Sequence, residues 1–292
     1  MQNFNDKIAV ITGGGDGMGR SLAVQLANEG CHVALCDLGT EATAATKEAC
    51  EATGTGVLVT THVCDVSDEA ALEGFRDEII DQHATDHVHL LFNNAGIGGG
   101  GSIVTDERAA WERTFNVCWG GVYLGTRVFL PLLMAADDAH LVNTSSVNGF
   151  WASLGPDTSH TSYSAAKFAV KGFSEALVTD LRLTAPHVKV SVVMPGHIGT
   201  GIALNSATAH GIEPDAEMIE RGTMFRNTAP MTADEAATVI LDGVRAENWR
   251  ILVGMDAHAL DMAVRDAPEE AYQPDFIARL AGHLAPLVGD GE

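Results

Sequence analysis

Basic residues are scarce in this chain: 17 Lys and Arg stand against 39 Asp and Glu, a formal net charge of −22. So acidic a surface repels polyphosphates and anionic lipid headgroups, and neither nucleic acid nor a membrane is expected as a partner. Cysteine is sparse as well, and no two of Cys31, Cys36, Cys50, Cys64 and Cys118 stand in CxxC spacing. An odd number of thiols, two of them in apolar runs, predicts buried reduced side chains rather than a disulfide framework or a metal site. The 12 histidines contain no HExxH pair, which argues against bound zinc. Uncharged apolar runs are strand-sized and shorter than the ~20 residues that span a bilayer. The start, Met1 to Lys7, lacks a basic stretch followed by an apolar one, so no secretory signal is read and the cytoplasm is the expected location.

What the chain does have is alternation. Apolar, β-rich runs at 8–12, 32–36, 57–60, 88–92, 141–143, 189–193 and 250–253 are separated by helical patterns at 17–30, 40–53, 67–84, 106–135 and 161–185. Seven strands alternating with helices predict an α/β fold, a doubly wound parallel sheet covered on both faces. Residues 1–255 read as one domain, and no second domain is required. The segment 199–230 is too long for a plain connection and reads as a lid. Residues 256–292 form an extension with two short helical patterns, expected to pack on the same domain, against the lid, or on a partner subunit.

Tyr163 and Lys167 stand four residues apart in a helical pattern, which places a phenol and an ammonium on one face. A nearby cation favours phenolate, so this spacing can turn a tyrosine into a working acid or base. Directly after the first strand, Thr12-Gly13-Gly14-Gly15-Asp16-Gly17-Met18-Gly19 opens a helix. Glycines there permit a tight turn and let a pyrophosphate approach backbone amides at the positive end of that helix. The tract Gly96-Ile97-Gly98-Gly99-Gly100-Gly101 satisfies the dinucleotide pattern GxGxxG literally but lacks the strand-helix setting, and reads as a loop. Asp37 closes the second strand, 18 residues beyond Gly19, where a carboxylate can accept hydrogen bonds from a ribose diol and repel a 2′-phosphate. Asp16 makes the glycine turn acidic too, so the cofactor expected is NAD rather than NADP. Asp65 and Val66, after the third strand, suit contact with adenine.

Together, Thr12-Gly13-x3-Gly17-x-Gly19, Asn93-Asn94-Ala95-Gly96, Asn116, Ser146, Tyr163-x3-Lys167 and Pro195-Gly196-x-Ile198-x-Thr200 resemble the classical short-chain dehydrogenase/reductase family, in the family's order and over residues 7 to about 200. The resemblance implies a Rossmann-like sheet of order 3-2-1-4-5-6-7, a nicotinamide cofactor and no metal. It implies that Tyr163 exchanges a proton with the substrate oxygen, that Lys167 lowers the phenol pKa and holds the nicotinamide ribose, that Ser146 orients the oxygen, and that Asn116 holds a water in a relay to the lysine. Gly13, Asp16, Gly17, Met18, Gly19, Asp37, Leu38, Asp65, Val66, Asn93, Gly96, Pro195, Gly196, Ile198 and Thr200 are then the expected cofactor contacts, beside Tyr163 and Lys167. Family members commonly pair their long fourth and fifth helices, so a homodimer or homotetramer is expected.

The chain departs from the family in the 16 residues between Ser146 and Tyr163, a longer gap than usual. Phe150, Trp151 and Leu154, followed by the turn signal Gly155-Pro156-Asp157, predict an apolar wall beside the reacting carbon. The activity expected is NAD-dependent interconversion of a secondary alcohol and a ketone on a mainly apolar, cyclic or aromatic small molecule. The alternatives are an NADPH-dependent 3-oxoacyl reductase, which the acidic charge disfavours, and a catalytically silent NAD-sensing regulator.

Overall fold

β1 (Ile8–Thr12), β2 (His32–Asp37), β4 (Leu90–Asn93) and β5 (Ala139–Thr144) are buried along almost their whole length, as strands between two helical layers must be. In the computed structural model, which describes residues 1–155 and 158–284, they join β3 (Val59–Val63), β6 (Val188–Pro195) and β9 (Arg250–Val253) in a seven-stranded sheet of order β3-β2-β1-β4-β5-β6-β9. Every pairing is parallel. Counting sheet strands alone, this is the expected order. The sequence reading did not foresee two short strands outside the sheet, β7 (Ile198–Gly199) and β8 (Met231–Thr232), which pair with each other.

Two apolar layers enclose the sheet. On one side α1 (Gly17–Asn28) and α9 (Ala233–Arg245) bury Leu22, Leu26, Ile240 and Leu241 against β1, β6 and β9. The other side holds α3 (Glu69–Gln82), the long segment 108–135 and α6 (Thr161–Thr184), while α2 (Thr40–Glu51) flanks β2 and β3. Residues 108–135 are long and apolar enough by composition to cross a bilayer, contrary to the strand-sized runs read from the sequence, but one face is buried in the fold. This segment is not one regular helix: α4 (Arg108–Phe115) passes through a π-turn at Asn116–Gly120 into α5 (Gly121–Ala135).

The segment 199–230, expected to form a lid, contains α7 (Ile202–Ala209) and α8 (Ala216–Asn227). After β9, α10 (Met255–Asp266) and α11 (Phe276–Leu284) form a separate apolar cluster with Val147, Phe150 and Trp151. The extension thus covers the segment that follows β5.

Candidate active site

The turn between β1 and α1 is built for close approach. Gly13 and Gly17 hold positive φ of 66° and 52°, a region that side chains disfavour. A Cβ on Gly13 would come within 2.8 Å of the Ala95 backbone, and one on Gly17 within 2.9 Å of Thr200. The turn faces a cleft of about 390 Å³ lined by Gly13, Asp16, Gly17, Met18, Asp37, Leu38, Asp65, Val66, Gly96 and Thr200, all expected contacts. Asp37 closes one end, its carboxylate accepting from Gly15 N at 3.0 Å and from Leu38 N at 2.7 Å. Asp65 sits at the same end. Burial raises its pKa, but hydrogen bonds from Ser67 and the Arg113 guanidinium at 2.7 Å hold the carboxyl below its ordinary value overall.

The donor set fits a dinucleotide. Side-chain-free backbone at a helix N-terminus suits a pyrophosphate, and the Asp37 oxygens suit a ribose diol.

Other expected contacts lie elsewhere. Asn93 is buried behind the cleft, where its amide donates to Asn143 Oδ1 at 2.9 Å and Thr126 Oγ1 at 3.1 Å, so it ties β4 to β5 and α5 rather than touching a ribose. Its neighbour Asn94 lines the cleft and binds Thr12 O and Gly13 O at 3.1 and 3.2 Å, a role the sequence reading missed. Gly19 is buried in α1 because a Cβ there would strike Gly13 O, and it permits the turn without lining it. Ile198 belongs to the core and to the β7–β8 pair. Pro195 pairs with Val253 at the end of β6, and Gly196 packs on Asp256, whose carboxylate accepts from His197 N at 2.6 Å. None of Asn93, Gly19, Ile198, Pro195 and Gly196 lines the cleft, since chain spacing gives position but not direction.

The chemical end of the site is made by β5 and α6. Ser146, Tyr163 and Lys167 do not line the cleft itself, and Lys167 approaches it behind Gly96, where an added Cβ would lie 3.5 Å from its Nζ. Ser145 and Ser146 follow β5 and divide the work. Ser145 Oγ donates to Lys167 O at 2.8 Å and fixes the two elements together, while Ser146 Oγ accepts from Asn148 N at 3.2 Å and stands near enough to the Tyr163 hydroxyl to favour its ionised form. The Lys167 ammonium lies 5.3 Å from the Tyr163 ring centroid and donates to Thr144 O at 2.8 Å. Lys167 is 2 % exposed. Within this fold the surroundings push the Tyr163 phenol up, where the resemblance led to the expectation of a phenol lowered by Lys167. Burial is the largest cause, the Cys118 sulfur adds to it, and the Ser146 hydrogen bond opposes it. Burial also lowers Lys167, so the cation meant to favour phenolate is itself disfavoured. His160 stacks on the Tyr163 ring at 4.7 Å, with burial lowering its pKa to about 4.

Asn116 does not join this group. It is exposed, two residues beyond buried Thr114 on a helix whose inward side continues through Val117, Cys118, Gly121 and Val122. The expected relay role is therefore not supported by its placement. Trp151 also departs from expectation, being 5 % exposed, with its indole N–H donating to Ala271 O at 2.7 Å and its ring 5.6 Å from Phe276. Phe150 packs in the same cluster beneath the Arg250 guanidinium. The two aromatics anchor the extension instead of presenting a free wall, while Leu154 is exposed and Pro156 and Asp157 fall outside the described residues.

The lid adds contacts unseen in the sequence. Asn205 of α7 donates to Asp16 Oδ2 at 2.9 Å across the glycine turn, Ser206 Oγ accepts from Gly98 N at 2.8 Å, and His210 lies 2.9 Å from Gly98 O.

Residues 7–210 match the family model described as short chain dehydrogenase. The chain is 37% identical to the oxidoreductase SadH of Mycobacterium tuberculosis over 91% of this chain and 92% of that protein. It is 32% identical to the levodione reductase of Leifsonia aquatica over 70% and 73% of the two chains. Among solved structures, a short chain dehydrogenase/reductase from Burkholderia phymatum in complex with NAD superposes with a TM-score of 0.80 at 30% identity, covering 94% of this chain and 98% of that one.

Proposed function

The chain belongs to the short-chain dehydrogenase family, and from that premise we propose that it is an NAD-dependent oxidoreductase interconverting a secondary alcohol and a ketone on a mainly apolar small molecule. The observation that carries this reading is the buried group of Ser146, Tyr163 and Lys167: a serine beside a phenol whose ring lies 5.3 Å from an ammonium.

Gly13, Gly17 and the α1 N-terminus would hold the pyrophosphate, and Asp37 the adenosine ribose. The chemistry a nicotinamide dinucleotide supplies here is hydride acceptance or delivery at the substrate carbon. Tyr163 gives a proton to the ketone oxygen in reduction and takes it from the alcohol in oxidation. Ser146 donates to the same oxygen as charge develops there, an effect worth about 3 kcal/mol per donor in comparable sites. Lys167, held by Thr144 O, keeps a positive charge within reach of the phenolate. Asp37 and Asp16 together disfavour a 2′-phosphate, which supports NAD. The half-buried aromatic stack of Trp119 and exposed Tyr123, with Phe173 edge-on to Trp119 at 5.4 Å, supports pairing of the α5 and α6 faces with a second copy.

An NAD-coupled absorbance screen of secondary alcohols graded by size tests the activity, and a chain that binds NADH yet turns over none of them refutes it. Asp37→Ala is expected to relax discrimination against NADP by about tenfold or more in the ratio of kcat/KM values, from lost like-charge repulsion. An unchanged ratio removes the carboxylate from that role.

A further inference from the structure

The inner partner of the Tyr163 and Lys167 pair is a thiol. Cys118 is completely buried in the π-turn, and its Sγ makes a two-point contact with one residue of the loop after β4: it accepts from Ile97 N at 3.4 Å and donates to Ile97 O at 3.1 Å. Gly96, next along that loop and part of the cofactor cleft, is where Lys167 and Cys118 converge. A Cβ placed there would lie 3.5 Å from Lys167 Nζ and 3.7 Å from Cys118 Sγ. Cys118 is also the titratable neighbour acting on both Tyr163 and Lys167. Asn116, by contrast, points to the outside of the same turn.

We infer that Cys118 is a positioning residue of the reaction centre: its thiol fixes the Gly96–Ile97 backbone beneath Lys167, and so sets where the ammonium stands relative to Tyr163 and the cleft. The inference rests on the dehydrogenase reading above. A thiol suits this place because it is small, tolerates an apolar setting and still makes the two weak hydrogen bonds that a methyl group cannot. A π-turn, whose hydrogen-bonding register differs from that of the flanking α-helix, is a common device for presenting such a side chain at a functional site.

The test compares Cys118→Ala, Cys118→Ser and Asn116→Ala in the full chain. Cys118→Ala is expected to lower kcat about tenfold or more, with KM for the alcohol changed less than about threefold, because a group acting through Lys167 affects turnover more than substrate binding. Cys118→Ser, which keeps a donor and an acceptor, restores most of that loss, and Asn116→Ala stays at the parent's rate. Independently of turnover, hydrogen exchange at the Ile97 amide accelerates in Cys118→Ala and is slowed again in Cys118→Ser. Parent-like kcat in a folded Cys118→Ala protein overturns the inference, as does a loss that Cys118→Ser fails to recover. If Tyr163→Phe is as active as the parent, the dehydrogenase reading fails instead, and this inference with it.

Discussion

The two ends of the site, the nucleotide cleft and the buried group behind Gly96, are built from different materials. At the nucleotide end, the turn Gly13–Gly19 works through what it lacks: no side chain fills the space between Gly13 and Ala95 or between Gly17 and Thr200. At the chemical end, Ser145, Ser146 and Lys167 are polar side chains buried almost completely, and each finds a partner inside the protein. One end therefore depends on backbone geometry and the other on offsetting the desolvation of charge and hydroxyl. The difference teaches that damage to the two ends should look different, as lost stability and cofactor affinity in one case and lost turnover in the other.

The most severe challenge to that division is Tyr163→Phe. Removing one hydroxyl leaves the ring and its His160 contact in place, so the variant should fold and bind NADH like the parent while turnover falls about 10³-fold, within the span of general acid–base effects. Weakened NADH binding in step with turnover would mean that the two ends are not separable. Gly19→Ala attacks the opposite end. The added methyl meets Gly13 O, and overpacking against backbone should destabilise by about 2 kcal/mol, read as a drop in midpoint denaturant concentration, with kcat under saturating NAD little changed in the folded fraction.

The contrast also explains what the sequence disclosed. Strand order, the glycine turn and the place of Asp37 beside it were legible because alternating patterns set the order and a tight turn restricts residue type at fixed spacing. Tyr163 and Lys167 were legible because helical spacing settles their shared face. Asn93, Pro195, Gly196 and Ile198 stand away from the lining of the cleft because a position in a motif does not say which way the chain presents it: Asn93 sits one residue from the cleft-lining Asn94. Asn116 was avoidable in part. The run Thr114, Cys118, Gly121, Gly125 marks the inward face in the sequence itself, and Asn116 falls off it. The raised Tyr163 phenol was not readable at all, since desolvation depends on the three-dimensional surroundings.

A raised phenol predicts that alcohol oxidation climbs with pH across the alkaline range, whereas ketone reduction, which needs the protonated phenol, holds through neutrality. A plateau in oxidation near neutral pH would show that cofactor binding restores the lowered phenol. Acid acts on a different feature of the chemical end. β5, which leads to Ser146, carries His140, where burial and then the chain's amino terminus lower the pKa to about 3, while burial and Lys7 lower neighbouring His89 to about 4. Both are neutral in the fold. As pH drops below the unfolded value of about 6.5 the unfolded chain takes up protons that the fold refuses, so stability is present above that pH and is lost toward pH 4, by up to about 1.4 kcal/mol per pH unit for each histidine. Midpoint temperature measured from pH 7 to 4 should fall, and fall less in His140→Gln.

The smallest effect probes the point where lid and glycine turn meet. Asn205 is exposed, and its one described side-chain hydrogen bond joins α7 to Asp16 at the N-terminus of α1. Held there, α7 lines the nucleotide cleft and not the phenol, so Asn205→Ala should raise KM for NAD about threefold, the worth of one exposed hydrogen bond, and leave kcat within error of the parent. Were kcat to rise instead, lid opening would be limiting turnover, and α7 would belong functionally to both ends of the site. Ser206→Ala sharpens the choice, because Ser206 holds the Gly98 amide beside Thr114 rather than the glycine turn. A change in the alcohol's KM confined to Ser206→Ala, with NAD affinity unaltered, would place the division between the two ends inside α7 itself, one residue apart.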